Sequence, residues 1–243
     1  MRTLASKRYW LVGASEGLGA ALAQQLSAAG AELVLSARNV ARLDAVAAEL
    51  SGPSRCLPVD VSDIESVKAA AAAIGPIDGL VYLAALYWPM PATNWHSEQA
   101  TAMADVNFTG ALRVLGTVVP SMVARGTGHI VLTGSLGGFR GLPGAIGYAA
   151  SKAGLLSLAE SMHYDLRITG VDVQLVNAGF IRTRLSDKNT IPMPFIMEPE
   201  VAAVRMLAHM RSTRFSTSFP TGFSWLFRLS RIMPDWLYFR LFA

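Results

Sequence analysis

The sequence predicts an α/β fold in which a doubly wound parallel sheet of six to seven strands is flanked by helices. Apolar segments of strand length alternate along the chain with helical patterns of ten or more residues, which is typical of parallel strands covered on both faces. The composition agrees, because 52% of the 243 residues are hydrophobic and only 16% are charged. No repeat or low-complexity linker interrupts this pattern. We therefore expect a single domain over 1–243, with residues 213–243 as its aromatic, basic, amphipathic helical extension.

Each predicted strand is a short apolar run that leads through a turn into a helical pattern. The predicted strands are Arg8–Gly13, Glu32–Ser36, Arg55–Val59, Gly79–Ala84, His129–Thr133 and Val171–Val176. The predicted helices are Gly17–Ala29, Val40–Leu50, Ile64–Ala73, Glu98–Arg125 and a helix that carries Tyr148 and Lys152. With right-handed crossovers, this alternation gives a doubly wound sheet.

Composition also narrows the classes of function. The single cysteine, Cys56, excludes an internal disulfide and is compatible with a reducing compartment. None of the four histidines has a potential ligand three or four residues further on, so no metal site is expected. The N-terminus lacks the apolar region of a secretion signal, and no uninterrupted apolar run reaches the ~18 residues of a spanning helix. We expect a cytoplasmic protein, with peripheral association to a membrane left open.

The stretch GASEGLG, between the first predicted strand and helix, has glycines spaced G-x-x-x-G-x-G. Such glycines allow the chain to reverse, the backbone to approach a pyrophosphate, and the helix to pack close to the sheet. The pyrophosphate would lie at the helix N-terminus, where N–H groups and the helix dipole favour negative charge. The pattern predicts a dinucleotide-binding turn. Its predicted contacts are Gly13, Ser15, Glu16, Gly17, Leu18 and Gly19.

The end of the second strand indicates which dinucleotide is bound. An acid there would bind the ribose 2′-OH, but the chain reads LSARN, with Arg38 and Asn39 and no carboxylate. A guanidinium suits a 2′-phosphate, to which Ser15 and Asn39 can add hydrogen bonds. Glu16 counts against this interpretation, because it adds negative charge at the same end. We expect NADP(H), with NAD(H) as the less favoured alternative.

A tyrosine and a lysine lie four residues apart in YAASK, directly after a glycine-rich loop that carries Ser135. On a helix, Tyr148 and Lys152 share a face. The ammonium and a cationic nicotinamide would lower the pKa of the phenol from its ordinary ~10 toward neutrality. Tyr148 is then a candidate general acid for the alkoxide that hydride transfer leaves, with Ser135 holding the carbonyl oxygen. Taken alone, the same residues favour the alternative of an ordinary surface Tyr–Lys pair and a loop serine.

Several segments, in order along the chain, resemble the short-chain dehydrogenase/reductase family as far as about residue 212. The matching segments are GASEGLG, PVDVSD with Asp60, ADVNFTG with Asn107, IVLTGS with Ser135, YAASK, and NAGFIRT with Gly179 and Thr183. The resemblance implies a Rossmann-like fold and an oxidoreductase that uses a nicotinamide dinucleotide. It also implies a catalytic set of Asn107, Ser135, Tyr148 and Lys152.

The resemblance carries further expectations for individual residues. Lys152 would hydrogen-bond the nicotinamide ribose, and Asn107 would hold a water that links Lys152 to solvent. The implied cofactor contacts beyond the first turn and Arg38–Asn39 are Asp60, Val61, Ala84, Asn107, Tyr148, Lys152, Gly179, Ile181 and Thr183. A homodimer or homotetramer built through the two long helices is implied as well. The chain departs from the family pattern at Tyr82–Ala85 and at Ala178, so we expect altered cofactor affinity with catalysis retained.

Aromatic residues and a Pro/Met-rich segment are candidates for the wall of a substrate pocket. They are Trp88, Trp95, Phe139, Phe180 and Ile191–Met197, the last interpreted as an adaptable lid. If they line the site, the substrate is a small apolar ketone, aldehyde or alcohol. The alternative is that these side chains belong to an ordinary core.

The C-terminal segment 211–243 differs in composition, because its five arginines and one acid account for the whole net charge of +4. We predict a seventh strand over Arg214–Phe219 and short helices over Gly222–Met233 and Asp235–Phe242. Packing onto this or a neighbouring subunit, peripheral binding to a membrane, and a cover over the substrate mouth all stay open. The excess charge is too small and too scattered to indicate a nucleic-acid partner.

Two functions follow from these observations. The first is an NADP(H)-dependent carbonyl reductase or alcohol dehydrogenase. The alternative is an NADP(H)-binding sensor or scaffold without turnover, which the altered Tyr82–Ala85 turn and the unusual C-terminal segment permit.

Overall fold

A computed structural model describes residues 1–189 and 191–241 and forms one seven-stranded sheet. The strands are β1 (Arg8–Val12), β2 (Glu32–Ser36), β3 (Ser54–Cys56), β4 (Gly79–Tyr82), β5 (Gly128–Ser135), β6 (Val171–Ala178) and β7 (Ser216–Phe219). They are ordered β3-β2-β1-β4-β5-β6-β7, and every neighbouring pair is parallel. The predicted doubly wound parallel sheet is confirmed.

Helices cover both faces of the sheet. They are α1 (Gly17–Ala28), α2 (Val40–Ala48), α3 (Ile64–Ile74), α4 (Ser97–Ala104), α5 (Gly110–Arg125), α6 (Ile146–Leu166), α7 (Pro199–Met210), α8 (Thr221–Ser230) and α9 (Asp235–Leu241). Alternate strand residues point to opposite faces, so Trp10 packs with α3, α5 and α6, and Leu11 packs with α1, α2 and α7. This two-sided burial explains why the strands are apolar throughout.

The bounds of five of the first six strands differ from the prediction. β1 ends at Val12 instead of Gly13, and β4 ends at Tyr82 instead of Ala84. The third strand ends at Cys56 instead of Val59, although Leu57 and Val59 still donate to the carbonyl oxygens of Leu35 and Ala37 at 2.9 and 3.1 Å.

The fifth and sixth strands extend to Ser135 and Ala178, where they pair along eight residues. Their last residues, Gly134–Ser135 and Asn177–Ala178, are small or polar and resemble loop residues in the sequence. They nevertheless form the carboxyl ends of the two strands, where the candidate site lies.

The long helix predicted over Glu98–Arg125 is interrupted by a π-helical turn, Asp105–Thr109, between α4 and α5. Among the described residues, only the segment Ser97–Arg125 is a helix long and apolar enough to span a membrane, judged by length and hydropathy alone. Its residues Val114, Val118 and Met122 are nevertheless buried in the cluster beside the sheet, as is usual for a core helix.

The C-terminal segment forms the predicted strand and helices with shorter bounds. β7 pairs with β6 and begins two residues after the predicted Arg214, and α8 ends at Ser230 instead of Met233. α9 begins at the predicted Asp235; Phe242, its predicted last residue, lies outside the described residues. The chain therefore continues the sheet at its edge before it forms two helices near the carboxyl ends of the strands.

Candidate active site

A cavity of about 1510 Å³ opens at the carboxyl ends of the strands. Open α/β sheets bind their ligands in this position, where the strand order reverses. Its volume exceeds the roughly 300–1,000 Å³ of a typical small-molecule pocket, so a dinucleotide and a second molecule both fit. One end is formed by the turn between β1 and α1, and the other by residues that follow β6.

The turn between β1 and α1 requires its glycines. Gly13 and Gly17 have φ values of +98° and +53°. A Cβ on Gly13 would lie 2.5 Å from the backbone nitrogen of Ala84, and a Cβ on Gly19 would lie 2.0 Å from the carbonyl oxygen of Gly13. The N-cap residue Glu16 makes no side-chain hydrogen bond to α1. The turn thus forms a backbone cradle at a helix N-terminus, and this cradle fits a pyrophosphate.

The charge of Glu16 is balanced by two arginines that the sequence analysis missed. Its carboxylate lies 2.7 Å from Arg42 and 3.2 Å from Arg184. Both arginines line the cavity together with Arg38. The acid that counted against a 2′-phosphate is therefore neutralised within the protein. Neither partner could be paired with Glu16 from sequence alone, because both are distant from it along the chain.

The other residues predicted at the adenosine end also line the cavity. Asn39 uses its side-chain oxygen to cap α2, accepting from the N–H of Arg42 at 3.0 Å. Asp60 accepts hydrogen bonds from the N–H and hydroxyl of Ser62. Partial burial would raise the pKa of Asp60, but the two Ser62 bonds and the nearby Arg38 charge hold it below its ordinary value. Asp60 therefore contributes an ionised carboxylate to this wall of the cavity. Ser15, Leu18, Val61 and Ala84 complete it.

Ser135, Tyr148 and Lys152 come together at the end of β5. α6 places the Lys152 nitrogen 5.8 Å from the centre of the Tyr148 ring. That nitrogen donates to the carbonyl oxygen of Thr133 at 2.9 Å. The Ser135 hydroxyl accepts from the N–H of Gly137 at 3.1 Å, and it lies near enough to Tyr148 to lower the pKa of that phenol. The spacing in YAASK thus puts a phenol, a hydroxyl and an ammonium around one part of the cavity.

Burial shifts two pKa values in this cluster. It raises the pKa of Tyr148, which the neighbouring Ser135 lowers by less and Tyr87 raises further. It lowers the pKa of Lys152 to about 8. The Lys152 ammonium is directed toward the Thr133 carbonyl. The predicted lowering of the Tyr148 pKa by Lys152 and a cationic nicotinamide together stays a prediction.

Asn107 lies behind the cavity wall and not in it. It is buried in the π-helical turn, accepts from the N–H of Leu86 at 2.6 Å, and donates to the Leu86 oxygen and the Ser151 hydroxyl at 2.9 and 3.0 Å. These bonds join the loop after β4 to α6. The predicted direct cofactor contact of Asn107 is wrong, since Leu86 and Tyr87 line the cavity in its place. Its role through a water stays a prediction.

The loop after β6 is fixed from two sides. Gly179 donates to the Phe219 oxygen of β7 at 2.8 Å, and a bridge joins Ile181 to Met197. A Cβ on Gly17 would lie 2.7 Å from a methyl carbon of Thr183, so this loop closes against the first turn. Gly179, Ile181 and Thr183 all line the cavity, and their contact with the cofactor stays a prediction.

The end of the cavity beside Tyr148, where we expect the substrate, is more apolar than the end at the β1–α1 turn. Phe180, Ile191, Pro192 and Pro194 line it, together with residues that the sequence analysis missed. The missed residues are Tyr87, Leu142, Phe223 and Phe227. Tyr87 packs edge-on to Tyr148, with ring centres 5.0 Å apart.

Three predicted wall residues lie elsewhere. Trp88 packs below the Lys188 ammonium at 4.3 Å, Trp95 is exposed, and Phe139 lines a separate cavity of about 380 Å³. Their aromatic character is evident in the sequence, but the direction of each side chain depends on tertiary contacts. Among residues 1–189 and 191–241, no group of three or more potential metal ligands comes together.

The model for the short chain dehydrogenase family matches residues 7–192. The chain belongs to the short-chain dehydrogenase/reductase family. An uncharacterized oxidoreductase of Myxococcus xanthus is 34% identical over 235 residues, which cover 94% of this chain and 93% of that protein. Family membership makes this protein an oxidoreductase with a Rossmann-like fold.

Two solved structures are similar over most of their length. A short-chain dehydrogenase from Sphingobium yanoikuyae, in complex with NADPH, is 29% identical with a TM-score of 0.82 and covers 88% of each chain. A metagenomic short-chain oxidoreductase in complex with NADP is 29% identical with a TM-score of 0.76. That match covers 89% of this chain and 96% of the other.

Proposed function

We propose that this protein is an NADP(H)-dependent oxidoreductase that interconverts an apolar ketone or aldehyde with the corresponding alcohol. The observation that carries the proposal is the convergence of Ser135, Tyr148 and Lys152 in a cavity whose other end has a glycine cradle and three arginines. The NADPH and NADP complexes of the two similar structures support the choice of cofactor.

The residues present fit a phosphorylated dinucleotide. The turn Gly13–Gly19 would hold the pyrophosphate, and Arg38 with Arg42 would hold the 2′-phosphate beside the neutralised Glu16. The loop Gly179–Thr183 would hold the nicotinamide end. When bound, the dinucleotide supplies or accepts a hydride.

The chain itself supplies proton transfer and orientation. The Ser135 hydroxyl orients the substrate oxygen by a hydrogen bond. Because burial raises its pKa, Tyr148 is protonated at neutral pH and can donate its proton to that oxygen when negative charge develops there. The Thr133 carbonyl holds the Lys152 ammonium, whose positive charge stabilises the phenolate that remains. In the reverse direction the phenolate accepts the proton.

Assays of NADPH and NADH oxidation with a panel of apolar ketones and aldehydes test this proposal. We expect Tyr148→Phe to lower kcat by about 10²–10⁴, the usual contribution of a general acid. Tyr164→Phe is the matched control, because this exposed tyrosine of the same helix lies outside the cavity. Turnover that survives Tyr148→Phe would contradict the mechanism. Tight NADPH binding without turnover on any member of the panel would favour the sensor or scaffold.

We also propose a homo-oligomer that assembles through α5 and α6. Leu112 and Val123 of α5 and Tyr164 of α6 are exposed apolar or aromatic residues on these helices. Light scattering of the purified chain tests this; a monomer at micromolar concentration would contradict it.

A further inference from the structure

We propose that the outer face of α8 and α9 docks on an anionic lipid bilayer, and that the cavity takes its apolar substrate from that bilayer. The outer face is defined by seven exposed residues, Trp225, Leu226, Leu229, Ile232, Trp236, Phe239 and Leu241. The substrate route rests on the proposed function, whereas docking on the bilayer does not.

The polarity of α8 is inverted relative to an ordinary surface helix. Two of its three buried residues, Ser224 and Ser230, are polar and 2% and 1% exposed, the third being Phe227, whereas Trp225 is 55% exposed. An amphipathic helix of a globular protein normally turns its apolar stripe toward the core. Ile232, directly after α8, is 82% exposed. The sequence therefore places large apolar side chains outward, where contiguous patches mark binding surfaces.

The inner side of the segment is anchored, so the outer face has a defined orientation. Arg140 donates to the carbonyl oxygens of Ser230 and Met233 at 2.5 and 2.7 Å and forms an ion pair with Asp235. Its guanidinium also stacks 4.0 Å from the centre of the Tyr238 ring. These contacts use the polar and inward groups of α8 and α9, which leaves the apolar face directed away from the protein.

Charge favours an anionic bilayer over a second copy of the chain. Four arginines lie on α8 and α9 or next to them, namely Arg140, Arg228, Arg231 and Arg240. They outnumber the two acids with which they pair, because Asp235 pairs with Arg140 and Glu160 with Arg231. Arg228, Arg231 and Arg240 are interspersed with the apolar residues. Such a surface combines insertion of aromatic side chains with attraction to acidic headgroups. Two copies facing each other through the same surface would bring like charges together.

Three aromatic side chains lead from the surface beside α8 into the cavity. The ring centre of Phe195, which is 66% exposed, lies 5.4 Å from the ring centre of Phe223, and that centre lies 5.1 Å from the ring centre of Phe227. Phe223 and Phe227 line the substrate end of the cavity. An apolar ketone or alcohol that leaves the bilayer beside α8 thus meets aromatic side chains that lead into the cavity.

Co-sedimentation of the full chain with vesicles tests the docking. One vesicle preparation is phosphatidylcholine alone, and the other contains equal parts of phosphatidylcholine and phosphatidylglycerol. We expect binding to the mixed vesicles and at least about tenfold weaker binding of the triple variant Trp225→Ser, Ile232→Ser, Trp236→Ser. The matched control is Ile64→Ser, Ile168→Ser, Val201→Ser, which removes three exposed apolar residues from other surfaces and should bind like the native chain.

Two results would overturn the docking. One is an absence of binding to both vesicle preparations. The other is equal binding of the two triple variants. A third result would assign the surface to a second copy of the chain: the native protein is a dimer that does not bind vesicles, and the triple variant of α8 and α9 (the α8–α9 variant) is a monomer.

The substrate route is tested with NADPH oxidation by a short water-soluble ketone and by a long-chain ketone carried in the mixed vesicles. We expect the α8–α9 variant to keep its rate on the soluble ketone and to lose at least about tenfold on the vesicle-borne ketone. An equal rate of native and variant chains on the vesicle-borne ketone would overturn the route. Absence of turnover on both ketones would overturn the proposed function and the substrate route together. The docking on the bilayer is tested separately, by co-sedimentation.

Discussion

The two ends of the cavity are built by different means. The adenosine end is made of backbone and charge, with a glycine cradle closed against Ala84 and Thr183 and with arginines around Glu16. The substrate end is made of side chains from segments after β6, above all Phe223 and Phe227. The first end fits one kind of ligand, a charged dinucleotide. The second end fits an apolar molecule whose size and shape are limited by the aromatic side chains around it. The comparison predicts that substitutions at one end should affect cofactor binding and those at the other should affect substrate binding.

The largest effect is expected at the cradle. Gly13→Val places a side chain 2.5 Å from the Ala84 nitrogen at a φ of +98°, so we expect at least about a hundredfold loss of NADPH affinity with lower stability. Gly116→Ala is the matched control, because nothing lies within 4 Å of its Cβ position on α5 and alanine favours a helix. Isothermal titration and urea unfolding measure both effects. Native NADPH affinity in Gly13→Val would refute the cradle.

Removal of charge at the same end should give the next largest effect. Arg38→Gln with Arg42→Gln should lower NADPH affinity by about 10- to 100-fold and leave NADH affinity nearly unchanged, since only NADPH has the 2′-phosphate. Glu16→Gln should raise NADPH affinity, because it releases Arg42 and Arg184 from their ion pair. Fluorescence titration with both nucleotides checks these expectations. An equal loss for NADH would place the arginines away from the 2′-phosphate.

At the substrate end, Phe223→Ala should raise KM for an apolar ketone about tenfold while the NADPH dissociation constant stays the same. Phe239→Ala is the matched control in assays without vesicles, because this ring is exposed and lies outside the cavity. A change in NADPH affinity with unchanged KM would break the division of the cavity into two ends.

The smallest effect is a pH dependence at the junction of the two ends. The pKa of Lys152 is lowered to about 8 from its ordinary 10.5, so between these values the unfolded chain binds more protons than the folded chain. The free energy of unfolding should therefore gain a contribution as pH rises from about 8 toward 10. Lys152→Met should lack this contribution, which urea unfolding at several pH values measures. Parallel curves for the native chain and the variant would contradict the lowered pKa.

The sequence predicted those features that depend on local geometry. Glycines with positive φ, such as Gly13, and a pair four residues apart on a helix, Tyr148 and Lys152, have their positions set by the backbone around them. The alternation of strands and helices is likewise a local pattern, which explains the agreement for β1 to β6.

What the sequence could not predict depends on contacts between distant segments. Arg184 meets Glu16 only because the loop after β6 folds against the first turn. Phe223 enters the cavity because β7 joins the edge of the sheet and directs α8 toward it. The burial of Asn107 behind Leu86 follows from a π-helical turn that no spacing in the sequence indicates.

The place of Arg140 along the chain has a mechanical consequence. It belongs to the connection between Ser135 and Tyr148, and the same guanidinium binds α8, α9 and the residues between them. A displacement of the last thirty or so residues is thus transmitted to the connection between Ser135 and Tyr148. Shortening the chain at its end would loosen the arrangement of these two residues as well as remove a surface.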